Sequence, residues 1–331
     1  MDHEASQLLR VRELRALLRR GEDPPPLHVE IHPTDVCNHR CAWCFHGGTG
    51  FDPRRKHELM QLAEYGALFQ ELRRLEVRNL SISGGGEPTL DPRLPELLDA
   101  AVTAGLRVRM VTHGTHLSPA VLERLAGAHE VRVSLDANAP ATYAAARQVP
   151  PSFFERALST VRALVALRDT HAPSLRVGTT FVLNEANQGE ALGFARRMLG
   201  FEVDAIIFKT DIDAQRHLGS AAYARALEGV RALDDRRIEA RPHAASEPRG
   251  HPCFVPFFKV AFNPYGELFS CCLGSQPGEK NGLRLGSLRG STFANLWADS
   301  RALREQLQRG VSCTTCNATD ALLNQLMRAE A

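Results

Sequence analysis

Eight cysteines fall into two groups with none between them: Cys37, Cys41 and Cys44 early, and Cys253, Cys271, Cys272, Cys313 and Cys316 late. The first three are spaced C-x3-C-x2-C in "DVCNHRCAWCF". Thiolates at such spacing hold a metal ion or an iron–sulfur cluster. Structural zinc and the clusters of simple electron carriers take four protein ligands. A local set of three therefore leaves one coordination position open or recruits a distant ligand. Buried, unliganded thiols are the bland alternative, but those would be more scattered along the chain.

Further on, "SISGGGEPTL" sets Gly84, Gly85 and Gly86 ahead of Glu87. A glycine run alone is a turn signal. It also lets backbone approach a ligand closely, and a neighbouring carboxylate accepts hydrogen bonds from an ammonium. Among the late cysteines, Cys313 and Cys316 form a C-x2-C knuckle that suits zinc and iron–sulfur equally well. If "GELFSCCL" is a strand, Cys271 and Cys272 point to opposite faces, and both do not ligate one cluster. "IIFKTDID" adds Lys209, Asp211 and Asp213, a set able to act as base, to bind a polar substrate or to lie on a solvated loop. Tyr143 and Arg147 are weaker candidates of the same kind.

Positioning these residues falls to an alternating pattern that begins at residue 27. The strand candidates are 27–31, 79–83, 107–113, 130–136, 176–183 and 204–209; amphipathic segments 57–75, 94–104, 119–128, 153–168, 187–198 and 220–232 separate them. Such alternation predicts a parallel sheet with helices outside, as an open doubly wound sheet or a partial barrel. In either, chemistry gathers at the carboxyl ends of the strands. The first cysteines and the glycine run follow the first and second strands. Before the barrel, residues 1–26 predict an amphipathic helix with Val11, Leu14, Leu17 and Leu18 on one stripe. "EARPHAASEPRGHP", from 239, reads as a linker. The remainder to 331 predicts two strands around an Asn-Pro-Tyr-Gly turn and a helix over 292–309.

The 331 residues are 44% apolar and 24% charged, which is ordinary for a globular protein with a sizeable core. A formal charge of +2 gives no electrostatic case for a nucleic-acid or membrane partner. No apolar run is long enough to span a bilayer, and the start lacks the apolar core of an export signal. A cytoplasmic location is expected, where thiols stay reduced and disulfides are rare.

With both motifs in order on consecutive strands, the sequence resembles the radical S-adenosylmethionine superfamily. That resemblance covers residues 27–235 and implies a partial (β/α)6 barrel. It implies a [4Fe–4S] cluster on Cys37, Cys41 and Cys44, whose free iron binds the amino and carboxylate groups of S-adenosylmethionine. Gly85, Gly86 and Glu87 would hold the methionine amino group. Phe45 fits the family's aromatic position. Ser134 and Asp136 match positions that contact the cofactor carboxylate or ribose, and Val182 and Asn184 lie where adenine is expected. His113 stands where members often carry Asn in a Thr-Asn-Gly segment.

The C-terminal region, with C-x12-G-x4-C from Cys253 through Gly266 to Cys271, resembles the auxiliary-cluster extension called SPASM, in its short twitch form. This implies a second [4Fe–4S] cluster on Cys253, Cys271, Cys313 and Cys316, in a small domain of β-hairpin and helix. Its role would be electron transfer. Cys272 would then pack as a small hydrophobe or face the active site as a hydrogen-atom donor. The expected activity is hydrogen abstraction from a small hydroxylated substrate, a sugar or aminocyclitol of an antibiotic pathway, with dehydrogenation or epimerisation. The electron donor would be of flavodoxin or ferredoxin type. A peptide or protein substrate is the alternative, and a zinc-stabilised, non-catalytic nucleotide-binding protein is a reading from another class.

Overall fold

The computed structural model describes residues 3–46, 53–211, 218–241, 250–275, 284–311, 313 and 316–329. Asp213 lies outside them. Ten strands form one continuous sheet: β1 (His28–Ile31), β2 (Asn79–Ile82), β3 (Arg107–Thr112), β4 (Glu130–Ser134), β5 (Arg176–Leu183), β6 (Ala205–Thr210), β7 (Ile238–Arg241), β8 (Lys259–Phe262), β9 (Glu267–Phe269) and β10 (Arg284–Ser287). The spatial order is β10-β9-β8-β1-β2-β3-β4-β5-β6-β7. β1 to β7 run parallel, and the sheet is open at β7 and β10.

The helices are α1 (His3–Arg19), α2 (Leu62–Arg74), α3 (Leu94–Thr103), α4 (Pro119–Arg124), α5 (Pro140–Arg147), α6 (Ser152–Thr170), α7 (Ala191–Gly200), α8 (Ser220–Ala226), α9 (Glu228–Arg231), α10 (Val255–Phe258), α11 (Phe293–Asp299), α12 (Arg301–Arg309) and α13 (Ala318–Ala329). Their apolar stripes repeat at helical spacing. In α2, Tyr65, Leu68, Phe69 and Leu72 are buried while Glu64 accepts from the Gln61 N–H at 2.6 Å to close the first turn. In α7 the buried set is Ala191, Phe194, Ala195 and Met198. Phe194 packs edge-on against Phe181 of β5, so the core between sheet and helices is aromatic and aliphatic.

Each of the six expected strands forms, with ends shifted by a residue or two. Two expectations need correction. Residues 239–241, read as linker, belong to β7, which pairs with β6 through Ile206↔Ile238 and Lys209↔Arg241. Four residues beside a proline-rich stretch carry too little pattern to be seen as a strand. The helix over 292–309 is two helices, separated at Ser300, whose hydroxyl donates to Trp297 O at 3.0 Å. The C-terminal strands also join the same sheet. β8 pairs in parallel with β1, His28↔Lys259 to Ile31↔Phe262, so the hairpin β8–β9 extends the barrel wall. In α1, Val11 and Leu14 are buried, and the helix packs against α13.

Candidate active site

The first cysteine loop leaves β1 and is clamped from both sides. Gly86 N donates to Thr34 O at 2.9 Å and Glu87 N to Val36 O at 2.8 Å. Arg40 N and Ala42 N donate to Arg147 O and Ala146 O at the end of α5. The glycine run owes its composition to this contact. A Cβ on Gly86 would collide with Val36 O, and one on Gly85 with the Asp35 carboxylate. The close approach seen here is to the cysteine loop.

Glu87 is buried and already bonded. Its Oε1 accepts from Thr89 N at 3.1 Å, Thr89 Oγ1 at 2.7 Å and Thr112 Oγ1 at 2.5 Å; Oε2 accepts from His113 N at 2.9 Å. The carboxylate thus ties β2 to β3, and only Oε2 retains spare acceptor capacity. His113 braces the cysteine loop. Its ring stacks on His39 at 3.8 Å between centroids, and Nε2 lies 2.8 Å from Asn38 Oδ1.

Asp136 and Arg147 form a buried ion pair beside that loop. Arg147 also donates to Ser134 O at 2.8 Å and Leu135 O at 3.3 Å, and its Nη1 lies 3.8 Å from Cys41 Sγ. Burial opposes charge on Arg147, but Asp136, Cys41 and Tyr143 together outweigh it and hold the guanidinium above its ordinary pKa. The second Asp136 oxygen accepts from Val182 N at 2.7 Å. Asp136 was expected to face a cofactor. Both its oxygens instead serve the protein, with its backbone at φ 58° held by these contacts. Tyr143 is buried below the guanidinium, its ring centroid 5.1 Å away. Ser134 takes a 3.2 Å bond from Thr180 Oγ1. Asn184 closes a turn, its side chain accepting from Ala186 N at 2.9 Å. Phe45 is 37% exposed, its ring 4.2 Å from that of His46.

Sequence reasoning missed Asn187. Buried, it donates to Asp136 O at 2.9 Å and to Val182 O at 2.8 Å, joining the ends of β4 and β5. It is an ordinary polar loop residue in sequence, and only the fold reveals its partners.

The thiols of this loop suit a cationic centre. Among the described residues all eight cysteines are half-buried and none is in a disulfide. Burial, Glu87 and the neighbouring Cys41 and Cys44 push Cys37 up to about 11. Thiolates are costly in these surroundings until a positively charged group compensates them. In the C-terminal set the same holds: burial pushes Cys253 up to about 11, with Cys313 adding, and Cys271 up to about 12, with Cys253 adding. Cys316 is raised by burial, Asp320, Cys271 and Cys253. Each of these thiols thus feels at least one cysteine from a distant segment, although among the described residues no three His, Cys, Asp or Glu side chains are gathered closely enough to hold a metal ion. Asn324 Nδ2 lies 3.8 Å from Cys253 Sγ.

Cys272 goes elsewhere. β9 ends at Phe269 and Cys272 begins a short turn, Cys272–Ser275, so strand alternation is not what separates the pair. Its side chain lines a cavity of about 970 Å³ inside the barrel, with Lys259 Nζ 3.7 Å from the sulfur. It is not packed as a small hydrophobe. Lys209 lines the same cavity, whereas Asp211 is buried and does not.

Comparison with known proteins decides the family. Residues 31–195 match the model of the radical SAM superfamily, and residues 253–317 match that of an iron-sulfur cluster-binding domain, SPASM. The chain belongs to the radical SAM superfamily. Its cofactors are S-adenosylmethionine and two iron–sulfur clusters, the radical SAM cluster and a SPASM auxiliary cluster. The zinc-protein alternative falls with that.

Among curated relatives, GTP 3',8-cyclase of Synechococcus elongatus is 29% identical over 174 residues, 51% of each chain. The chain thus spans about half the length of that relative. PqqA peptide cyclase of Xanthomonas euvesicatoria is 26% identical over 299 residues, covering 84% of this chain and 76% of the relative. The solved structure of Streptococcus suis SuiB bound to precursor peptide SuiA superposes with a TM-score of 0.69 at 13% identity, over 90% of this chain and 70% of that one. The fold is therefore that of these enzymes: a partial barrel of parallel strands with a C-terminal antiparallel hairpin. Among the described residues no helix is long and apolar enough to cross a membrane.

Proposed function

We propose that this radical SAM enzyme takes a hydrogen atom from a peptide or protein substrate. The observation that carries the reading is the PqqA peptide cyclase match, which is long enough to include most of the barrel and to reach into the C-terminal region. This reading is preferred to the expected sugar or aminocyclitol. The cluster and S-adenosylmethionine together supply a 5′-deoxyadenosyl radical.

The chain's own residues have separable tasks. Cys37, Cys41 and Cys44 hold the catalytic cluster. The backbone of Gly85 and Gly86, the free lone pair on Glu87 Oε2, Ser134 and Val182 shape the cofactor site, while Asp136, Arg147 and Asn187 keep its floor rigid. Phe45 screens the edge of the loop. In the short, twitch-like form of the auxiliary domain, Cys253, Cys271, Cys313 and Cys316 hold one further cluster that takes or relays an electron. Cys272 faces the substrate as a hydrogen-atom or proton donor, with Lys259 fixing its orientation. Lys209 contacts the substrate, and Asp211 supports the end of β6. A flavodoxin- or ferredoxin-type protein supplies the reducing electron.

The test is release of 5′-deoxyadenosine by anaerobically reconstituted enzyme, with peptides encoded beside its gene and with a panel of sugars and aminocyclitols. A peptide whose mass changes during turnover supports the reading. Stimulation by a sugar or aminocyclitol, with no peptide altered, overturns it.

A further inference from the structure

Closed barrels fill their interiors with layers of branched apolar side chains. This one lines its interior with charge. The described residues around the cavity include eight Arg or Lys and only four Asp or Glu. Those four carboxylates are all engaged. Glu130 takes both Arg109, at 2.6 Å, and Arg132, at 2.5 Å. Glu239 takes Arg241 Nε at 3.1 Å, and Asp320 takes Lys259 at 3.0 Å. Glu30 accepts from Ser83 at 2.7 Å and pairs with His32 at 2.9 Å.

Lys209 stands apart. β6 places it between Val182 of β5 and Arg241 of β7, facing the cavity. Among the described residues its ammonium has no hydrogen-bond or ion-pair partner. Arg132, Arg241 and Lys259 repel it. Asp136, the acid that most favours its charge, has both oxygens committed to Arg147 and Val182 N. Burial, followed by those cations, lowers its pKa to about 8. Lys209 is half-buried, and a cation held among other cations with no partner among the described residues is a cost that an incoming anion relieves. The cavity volume is that of a ligand pocket.

We propose that the cavity receives an acidic group of the substrate, with Lys209 as its anchor and Arg241 and Arg132 beside it. Resting on the peptide reading above, that group is the carboxylate of an Asp or Glu side chain at or next to the modified residue. A phosphate shares the chemistry and is separated from it by the test.

The reconstituted, S-adenosylmethionine-loaded full chain is titrated calorimetrically at pH 7 with three probes: N-acetylglutamate N-methylamide, its glutamine counterpart and inorganic phosphate. The expected result is saturable binding of the glutamate probe, at least about tenfold tighter than the glutamine probe, a ratio typical of a charge-assisted bond. Lys209→Met abolishes that preference and Lys209→Arg restores it, with iron content and circular dichroism confirming that each variant is folded. Equal binding of both amides, or a preference that survives in Lys209→Met, overturns the proposal. Lys209-dependent binding of phosphate in preference to glutamate overturns the carboxylate assignment. The two readings fail separately. A modified peptide without Lys209-dependent anion binding leaves the peptide reading standing alone. Lys209-dependent anion binding with no peptide modified leaves only the anion-binding pocket.

Discussion

In the first cysteine loop three sulfurs come from eight consecutive residues, Cys37 to Cys44, and neighbouring backbone fixes their loop. In the C-terminal region the four proposed ligands come from a loop before α10, the end of β9 and a segment ahead of α13. The first arrangement survives as long as one loop is clamped. The second exists only once the hairpin and the last helices have packed. A local metal site can thus be read from spacing, while a dispersed one is a product of folding, which is why loss of the dispersed site should track loss of tertiary structure.

The largest effect should come from changing Cys37, Cys41 and Cys44 together to Ala. Formation of 5′-deoxyadenosine should cease while iron in the C-terminal set remains, measured by elemental analysis and single-turnover assay. Loss of iron from both regions would break the contrast between local and dispersed sites.

Next in size is Arg147→Met, which leaves Asp136 charged and unpaired in the interior. Breaking a buried pair in this way costs about 3–5 kcal/mol. Urea unfolding should register it, and Arg147→Met combined with Asp136→Asn should recover part of the loss. An unchanged midpoint would mean that the clamp on the first loop does not need this pair.

Glu87→Gln turns an acceptor into an NH2 group facing either the two threonine hydroxyls or the His113 N–H. The mismatch should cost roughly 1–3 kcal/mol of stability. Stability falling while S-adenosylmethionine affinity stays level would make Glu87 a brace; a fall in affinity as well would give it a direct contact.

The smallest effect concerns Lys209, whose ammonium faces Arg132 of β4, Arg241 of β7, Lys259 of β8 and Asp136 after β4. Its pKa falls from 10.5 to about 8 on folding. Below that range both folded and unfolded chains are protonated, and the folded state bears the full penalty. Between about 8 and 10.5 the unfolded chain binds the extra proton, so stability rises with pH. Lys209→Met should therefore be more stable than wild type by roughly 1–3 kcal/mol at pH 7, with the gap closing towards pH 10. A gap independent of pH would show that Lys209 is not held in cationic surroundings.

Much of the frame was legible because its signals are local. Alternation of strand and helix located β1 to β6, and the motifs at Cys37 and Gly84 fell where consecutive strands end. β7 escaped because four residues beside prolines carry no usable period. The charged interior had left a trace that was passed over. "EVRVS" and "RVRMVT" alternate charged and apolar residues in strands of a parallel sheet, which is ordinarily buried on both faces and uniformly apolar. That alternation marks one face as a polar cavity wall.

By itself the sequence determined the ligand spacing of the first loop, the alternation of parallel strands with helices and the division of the cysteines, since each depends on neighbours within a few residues. Only the tertiary structure decided that β8 pairs with β1, that Arg147 reaches from α5 to Asp136 and Cys41, and that Cys272 enters the barrel cavity beside Lys259. It also decided that Lys209 is left without a carboxylate among the described residues. These are contacts between side chains far apart in sequence, and their energies arise from burial and charge, which exist only once the chain has closed around them.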